Sequence, residues 1–350
     1  MHPFRKLLLV SMGRASSLEN DPTPLDWKHV YIMSRRQALI GVLNAAVHRL
    51  PESQLPPADI LHEWDLLSSK IEKLYKRHEE RVVELESVLQ RLGLRGCILK
   101  GTGLAQLYPD PSRRQSGDID VWVQGSRKKI IEVFSKDYRI HSILYQECKA
   151  DIFNDTVVEV HFHPAKLYNP FCNARFQRWM RKHSPFSDSA TLTYPDAEFN
   201  SVFCMGHMFR HYIGGGLGLR QMMDYYYVLR ELPAAARRPV FQTLKRLGMG
   251  SFAAATMMAL QFYFGLEDEY LLCPPDTKRG RILIEDLIRM GNFGRFDPRN
   301  RHAEGETRFA RFRRRNRKVL TFFHLYPREV FWVPAFRMCH FVWRLFKGYI

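Results

Sequence analysis

Two aspartates separated by a single residue stand out in the sequence. Asp118 and Asp120 flank Ile119 and are followed by Val121, so both carboxylates lie in what reads as a buried β-strand. Residues i and i+2 of a strand point to the same face, and two adjacent carboxylates repel unless a cation lies between them. Mg²⁺ suits such a position, because it takes hard oxygen ligands and is usually held by carboxylates together with substrate phosphates.

A turn before the aspartates and an acid after them favour this interpretation. Lys100-Gly101-Thr102 follows an apolar strand and precedes the short helical run GLAQLY, so its backbone N–H groups lie at a helix N-terminus and can bind a phosphate. Glu159 adds a third acid in the later run VVEVHFHP. An isolated Asp-x-Asp pair is more often a strand cap or a partner of nearby arginines. The three features together favour a metal and phosphate site.

Strand-like runs surround these motifs and predict a small mixed α/β unit. We expect one helix at 127–134, a short helix after Thr102 and a hairpin turn at Asn154-Asp155. The predicted strands are CIL before Lys100, 119–123, 139–145 and 157–162.

Helical periodicity dominates on both sides of this unit. We therefore predict an α+β fold, in which a mixed β-sheet core at 95–165 is embedded between an N-terminal helical region at 1–94 and a C-terminal helical region at 166–350. The predicted helices span 24–50, 60–92, 170–183, 197–213, 217–232, 236–247, 252–264, 279–290, 306–318 and 329–347.

The block LKGTGLAQLYPDPSRRQSGDIDVWV, from Leu99 to Val123, resembles a block of a largely uncharacterised bacterial nucleotidyltransferase family in the polymerase-beta-like superfamily. The resemblance continues at VEVHFHP, at HMFRHYIGGGLGLRQMMDYY and at GNFG, and so covers most of the chain. It implies a polymerase-beta-like core that transfers a nucleoside monophosphate from a nucleoside triphosphate such as ATP to an acceptor hydroxyl. Pyrophosphate would leave, and Mg²⁺ or Mn²⁺ would be the cofactor.

The resemblance also implies roles for single residues. Asp118 and Asp120 would be ligands of the metal ions that hold the triphosphate, and Glu159 would complete the second metal site and help to activate the acceptor hydroxyl. Two metals about 3.5–4 Å apart stabilise both the attacking and the leaving oxygen. The nucleotide-binding positions expected from the resemblance are Lys100, Gly101, Thr102, Arg114, Gly117 and His161.

The turn departs from the superfamily pattern, in which Gly-Ser or Gly-Gly is usual and the spacing to the aspartates is shorter. Lys100 could contact a phosphate as a point charge, and Thr102 could supply a hydroxyl. We expect Arg114 either near the triphosphate or in an ion pair that holds the loop.

Glu159, His161 and His163 alternate along one strand and are expected to face the same way. A Glu-His-His metal site is one interpretation. We favour the other, in which His161 orients Glu159 and His163 makes a polar contact at the strand end.

Two pairs of polar residues lie four residues apart on predicted helices. His207 and His211 share a face but lack the glutamate of an HExxH motif, so packing or a nucleotide contact is expected. Arg220 and Asp224 are expected to form an intrahelical ion pair or to border the cleft.

The charge balance points to anionic partners. The sequence has 53 Lys and Arg against 36 Asp and Glu, a net charge of +17, which favours phosphate-bearing ligands, nucleic acid or an acidic membrane surface. A basic run at 308–318 is most simply a solvated face. The last helix carries a stripe of Arg337, His340, Arg344 and Lys347 among aromatic residues. We expect its apolar remainder to be core, and a membrane-surface helix is the alternative.

Cysteine usage indicates a cytoplasmic protein. The six cysteines are far apart and include no CxxC pair, which fits reduced thiols. The apolar run Leu7 to Val10 is shorter than the core of a signal peptide, and no stretch of about 18 apolar residues predicts a transmembrane helix.

Three hypotheses remain open from the sequence. The first is a nucleotidyltransferase whose acceptor is a small alcohol or aminoglycoside, a sugar, a protein side chain or an RNA end. The second is a catalytically idle fold that senses a nucleotide. The third is a membrane-surface or polysaccharide-associated protein that acts through its basic C-terminal helix.

Overall fold

Helices form most of the chain, whose computed structural model describes residues 3–18, 26–300 and 305–349. The helices are α1 (Pro3–Ser11), α2 (Trp27–Gln37), α3 (Ile40–Val47), α4 (Ala58–Arg91), α5 (Thr102–Ala105), α6 (Arg127–Phe134), α7 (Pro170–Lys182), α8 (Ala197–Gly214), α9 (Leu219–Glu231), α10 (Ala234–Arg246), α11 (Gly250–Phe264), α12 (Thr277–Met290), α13 (Arg308–Leu320), α14 (Pro327–Val330) and α15 (Trp332–Phe346). The predicted α+β fold class is confirmed.

A single mixed sheet lies among these helices. Its strands are β1 (Gly96–Ile98), β2 (Ile119–Val123), β3 (Ile140–His141), β4 (Glu147–Ala150), β5 (Val158–His161) and β6 (Leu192–Thr193). In the order β3-β4-β5-β2-β1-β6, β2 pairs parallel with β5 and antiparallel with β1. The predicted hairpin turn lies in the connection between the antiparallel strands β4 and β5.

Three strand predictions differ from the structure. β4 was not predicted, because Glu147, Lys149 and Ala150 are of residue types depleted in strands and the alternation of charged and buried residues covers only four positions. β3 is much shorter than the predicted run at 139–145. β6 is a two-residue parallel edge strand beside β1 and lies within the predicted C-terminal helical region. The domain boundaries themselves stay a prediction.

The two faces of the sheet pack in different ways. Ile119, Val121 and Val123 point into a small apolar cluster with residues of α4 and α6, among them Leu85 and Phe134. Asp120 and Trp122 alternate with them and so face the other way, and Trp122 joins the large helical core. The alternation therefore directs Asp120 toward the C-terminal helices.

The N-terminal helices close the helical core. Leu7, Leu8 and Val10 of α1 are fully or almost fully buried, in contact with α3 and α11. The single helix predicted at 24–50 is divided at Ala38, whose φ of 55° ends α2 in the left-handed region. In the described part of the chain, no helix is both long and apolar enough to cross a membrane.

The C-terminal segment is held to α7 by a buried carboxylate. Glu329 of α14 accepts hydrogen bonds from the backbone N–H groups of Tyr168 and Asn169, the latter at 3.1 Å. Asn169 in turn caps α7 through its side chain. The expectation that α15 is a core helix was wrong, because Val333 is its one buried residue.

We expect Glu329 to make stability depend on pH. Burial outweighs its two N–H donors and raises the pKa of Glu329 from 4.5 to about 7. Its contribution is therefore fully present below the unfolded pKa and is lost as the pH rises through about 7. Urea unfolding from pH 5 to 8 should show a decline in the wild type that is flatter in Glu329→Gln. The exposed control Glu231→Gln should follow the wild type, and parallel wild-type and Glu329→Gln profiles would contradict the assignment.

Candidate active site

A cavity of about 630 Å³ lies between the sheet and helices α8 and α9. This volume is within the range of small-molecule sites. The predicted residues that line it are Lys100, Gly101, Arg114, Gly117, Asp118, Asp120, Glu159, His207, His211, Arg220 and Asp224.

Strand register brings the predicted acids together. Asp120 of β2 is the direct neighbour of Glu159 on β5, and Asp118 precedes β2 on the same cavity wall. The ligand atoms of Asp120, Glu159 and His161 lie within 4.8 Å of one another. Oxygen donors of this kind fit a hard divalent cation such as Mg²⁺.

Asp120 is the most strongly stabilised anion of the site. Its side chain is almost fully buried, and Oδ1 lies 2.7 Å from Lys100 Nζ and 2.8 Å from His161 Nε2. Burial raises the pKa of Asp120, but Lys100 and His161 more than offset this and hold it well below its usual range. Asp120 is therefore ionised at neutral pH.

Asp118 and Glu159 are less completely neutralised. Burial, followed by the charge of Asp120, raises the pKa of Asp118. The pKa of Glu159 is raised by burial and by the charges of Glu147, Asp120 and Asp118, although Lys149 Nζ lies 3.3 Å from its Oε1. Both carboxyl groups therefore lie in a buried setting beside other carboxylates, where a bound divalent cation would favour their ionised forms.

His161 supports Asp120, not Glu159 as we had expected. It is fully buried, with Nε2 on Asp120 and Nδ1 3.6 Å from Glu147 Oε2. Although burial lowers the pKa of His161, Asp120 and Glu147 raise it overall. Nε2 donates its hydrogen to Asp120 Oδ1, and a ring nitrogen that carries a hydrogen does not ligate metal.

His163 does not join this cluster. β5 ends at His161, and the ring of His163 stacks on Tyr145 with centroids 5.3 Å apart. Burial, together with the charge of Arg127, lowers the pKa of His163 to about 4. The Glu-His-His site considered from the sequence is therefore not formed.

The Lys100-Gly101-Thr102 turn brings its lysine, not its hydroxyl, to the site. Gly101 has φ of 57°, and a Cβ there would lie 3.2 Å from the carbonyl oxygen of Asp118. Thr102 begins the short helix α5, is buried and is not among the residues that line the cavity. The tight turn thus allows Lys100 to reach Asp120.

Arg114 forms the ion pair that was one of the two expectations for it. Its Nε and Nη2 lie 2.7 and 2.8 Å from the two carboxylate oxygens of Asp224 on α9. Nη1 also donates to the Gly101 carbonyl at 3.0 Å and to Ser116 Oγ at 2.7 Å. This buried guanidinium fixes the loop between Gly101 and Ser116 to the helical wall.

Arg220 borders the cleft instead of pairing with Asp224. Its Nη1 donates to the Gln115 carbonyl at 2.7 Å, and its guanidinium lies 5.4 Å from the Phe293 ring centroid. Phe293 belongs to GNFG, whose Gly294 is so close to Gly216 that a Cβ on Gly216 would collide with its backbone. Two segments that carry the sequence resemblance therefore meet at the cavity.

The histidines of α8 complete the wall opposite the acids. The rings of His207 and His211 are 4.4 Å apart, and burial and nearby cations lower both pKa values well below the usual range. Neither belongs to the three-ligand cluster found within the described ranges. Nδ1 of His207 is buried without a hydrogen-bond partner in the described part of the chain, so a ligand could engage it.

Sequence reasoning missed Glu147 and Lys149, which also line the cavity. β4 pairs antiparallel with β5, and this register sets Glu147 opposite His161 and Lys149 opposite Glu159. The signal was the E-C-K-A alternation, in which the second and fourth residues are buried.

We expect Arg114→Met to destabilise the protein by about 3–5 kcal/mol, because it leaves the buried carboxylate of Asp224 without its bidentate partner. Urea unfolding measures the change. The double variant Arg114→Met/Asp224→Asn should recover part of the loss. Arg35→Met removes an exposed ion pair with Glu63 and should cost less than about 1 kcal/mol. Equal losses in the two single variants would contradict a structural role for the buried pair of Arg114 and Asp224.

Comparison with known proteins gives a match to a protein family. The family model described as "Uncharacterised nucleotidyltransferase" matches residues 23–265, a range that includes every residue lining the acidic wall. No curated protein and no solved structure matches the chain. With more than half of its length matched, the chain belongs to this uncharacterised nucleotidyltransferase family and is a nucleotidyltransferase, as the sequence resemblance indicated.

Proposed function

We propose that the protein transfers a nucleoside monophosphate from a nucleoside triphosphate to an acceptor hydroxyl with the aid of Mg²⁺. The observation that carries this proposal is the convergence of Asp118, Asp120 and Glu159 on one wall of the cavity. In the reaction, the acceptor oxygen forms a bond to the α-phosphorus, the bond from that phosphorus to the bridging oxygen breaks, and pyrophosphate leaves.

The three acids are the residues that would hold the metal. Such ions stabilise the charge that develops on the attacking and leaving oxygens of an in-line displacement. The donor set supports Mg²⁺ or Mn²⁺, because carboxylates suit both ions. Burial, and then the neighbouring carboxylates, raise the pKa values of Asp118 and Glu159.

Glu159 is the best placed proton acceptor. It lies at the edge of the wall beside Lys149 and is only partly buried, so an acceptor hydroxyl can reach it. The raised pKa of its carboxyl brings its basicity closer to that required for proton transfer near neutral pH. We assign Glu159 the proton that the acceptor hydroxyl loses.

Cations around the cavity would neutralise the triphosphate. Lys100, Arg210, Arg220 and Arg295 line it together with Lys149. Because phosphoryl chemistry relies mainly on positioning and charge stabilisation, these side chains supply binding without entering covalent steps. Arg114 acts indirectly, because it donates hydrogen bonds to the Gly101 carbonyl and the Ser116 hydroxyl and so holds the loop in place.

The reaction is proposed to take place in the cytoplasm. All six cysteines are free, which fits a reducing compartment. The cavity does not identify the chemical class of the acceptor, because both the acidic wall and the neutral His207 and His211 are available to contact it.

A nucleotide sensor without turnover is the second candidate. The observation in its favour is that lysines already pair with two of the three acids, Lys100 with Asp120 and Lys149 with Glu159. Released pyrophosphate distinguishes the candidates, since only the enzyme produces it.

We expect Asp118→Asn, Asp120→Asn and Glu159→Gln each to lower pyrophosphate release by about 100-fold or more. The reason is that each removes charge stabilisation worth several kcal/mol in such sites. Pyrophosphate is measured with a triphosphate mixture and a metabolite extract, and mass spectrometry of the products identifies the acceptor.

The exposed Asp188→Asn serves as the matched control and should retain full activity. Calorimetric titration with and without Mg²⁺ is run in parallel on every variant. Full transfer by both aspartate variants would refute the assignment. Tight Mg²⁺-dependent nucleotide binding by the wild type without pyrophosphate release would favour the sensor.

A further inference from the structure

The outward face of α15 is apolar. Four apolar residues recur at helical steps that place them on one side of the helix, namely Phe331, which precedes α15, and Met338, Val342 and Leu345. Their side chains are 63, 50, 39 and 59% exposed, and the neighbouring Phe346 is 84% exposed. We call these five residues the α15 apolar face. In a monomer, exposed apolar residues this large and contiguous mark an interaction surface.

The orientation of α15 is fixed by polar and aromatic contacts on its other side. His340 Nε2 accepts the backbone N–H of Tyr145 at 3.2 Å. The Arg127 guanidinium lies 4.9 Å from the Trp343 ring centroid, and Lys166 Nζ lies 4.4 Å from that of Phe336. The helix thus turns Phe336, His340 and Trp343 toward the rest of the chain and the α15 apolar face outward, which is the reverse of a core helix.

The C-terminal segment that carries the α15 apolar face is strongly basic. The range 305–349 contains eleven Lys and Arg and two acids. Glu306 pairs with Arg311 and Arg314, and Glu329 is buried against α7. α13 contacts α15 through Asn316, whose Oδ1 accepts a hydrogen bond from Arg337 at 2.7 Å.

The face of α13 that includes Asn316 repeats the pattern of α15. Phe309, Arg313, Arg317 and Leu320 follow one another at helical steps on this side and are exposed. Exposed phenylalanine and leucine therefore flank two arginines on a helix that contacts α15.

We propose that the α15 apolar face and the adjacent basic side of α13 dock on an anionic lipid bilayer. Aliphatic and aromatic side chains would enter the boundary between headgroups and acyl chains, while arginines bind the anionic headgroups. This occupant matches both properties of the surface. A second copy of the chain would bring two strongly basic segments together, and nucleic acid would leave the aliphatic side chains uncovered. The proposal does not depend on the nucleotidyl transfer proposed above.

The test is vesicle flotation of the full chain, with vesicles of phosphatidylcholine alone or mixed with phosphatidylglycerol. We expect the wild type to float with the mixed vesicles and much less with phosphatidylcholine alone, and salt to weaken the binding. Met338→Glu/Leu345→Glu should lower the bound fraction about tenfold or more, because it places two anions on the α15 apolar face. Arg313→Gln/Arg317→Gln should weaken binding to the mixed vesicles in particular.

Leu66→Glu/Val83→Glu is the matched control, since these two side chains of α4 are 51 and 67% exposed. It should float like the wild type. Thermal melts of all variants should match the wild type, as every substituted side chain is exposed.

Absence of flotation with the mixed vesicles at low salt would overturn the proposal, and so would equal binding by Met338→Glu/Leu345→Glu and its control. Light scattering measures the oligomeric state and so tests the remaining alternative. A wild-type dimer that becomes monomeric in Met338→Glu/Leu345→Glu, with no vesicle binding by either, would assign the face to a second copy of the chain.

Discussion

The structure depends on one buried anion and the two cations that accompany it. Asp120 lies in the middle of a sheet whose other face is wholly apolar, and an unpaired carboxylate there would be very costly. Lys100, from the turn after β1, and His161, from the end of β5, share one of its oxygens. The strands beside β2 thus each contribute a partner, and the acidic wall of the cavity is a consequence of this arrangement.

A second charged contact joins the sheet to the helical wall. Arg114 and Asp224 are both almost fully buried and pair in a bidentate geometry, which gives direction as well as strength. Tyr108 donates a further hydrogen bond to Asp224. Because the same guanidinium binds the Gly101 carbonyl, the position of the turn is tied to α9. The pair therefore joins two segments that carry the sequence resemblance, the block that ends in GDID and the MMDYY run on α9.

The sequence alone was sufficient to predict that the acids share one face, that a turn precedes them and that the fold is α+β. Each of these features leaves a local pattern in the sequence. Strand alternation places Asp118 and Asp120 on one face, and helical periodicity is long and regular on both sides. Glu147 and the partner of Arg114 could not be predicted, because they depend on which strand and which helix pack nearby. An ion pair that holds the loop was one of the two expectations for Arg114. The expectation that the apolar side of α15 belongs to the core was wrong for a related reason. Periodicity reveals that a helix has an apolar side, but it does not reveal whether other parts of the chain cover that side.

The pairing of Lys100 and His161 with Asp120 also separates the folding equilibrium from the metal-binding equilibrium, which are coupled in many small metalloproteins. There, ligands that repel one another assemble only around the ion, so that chelation unfolds the chain. Here the central carboxylate already has positive partners supplied by its own strands and turn. The sheet can therefore fold with the partners of Asp120 already in place, and the cavity is preorganised before any ligand binds.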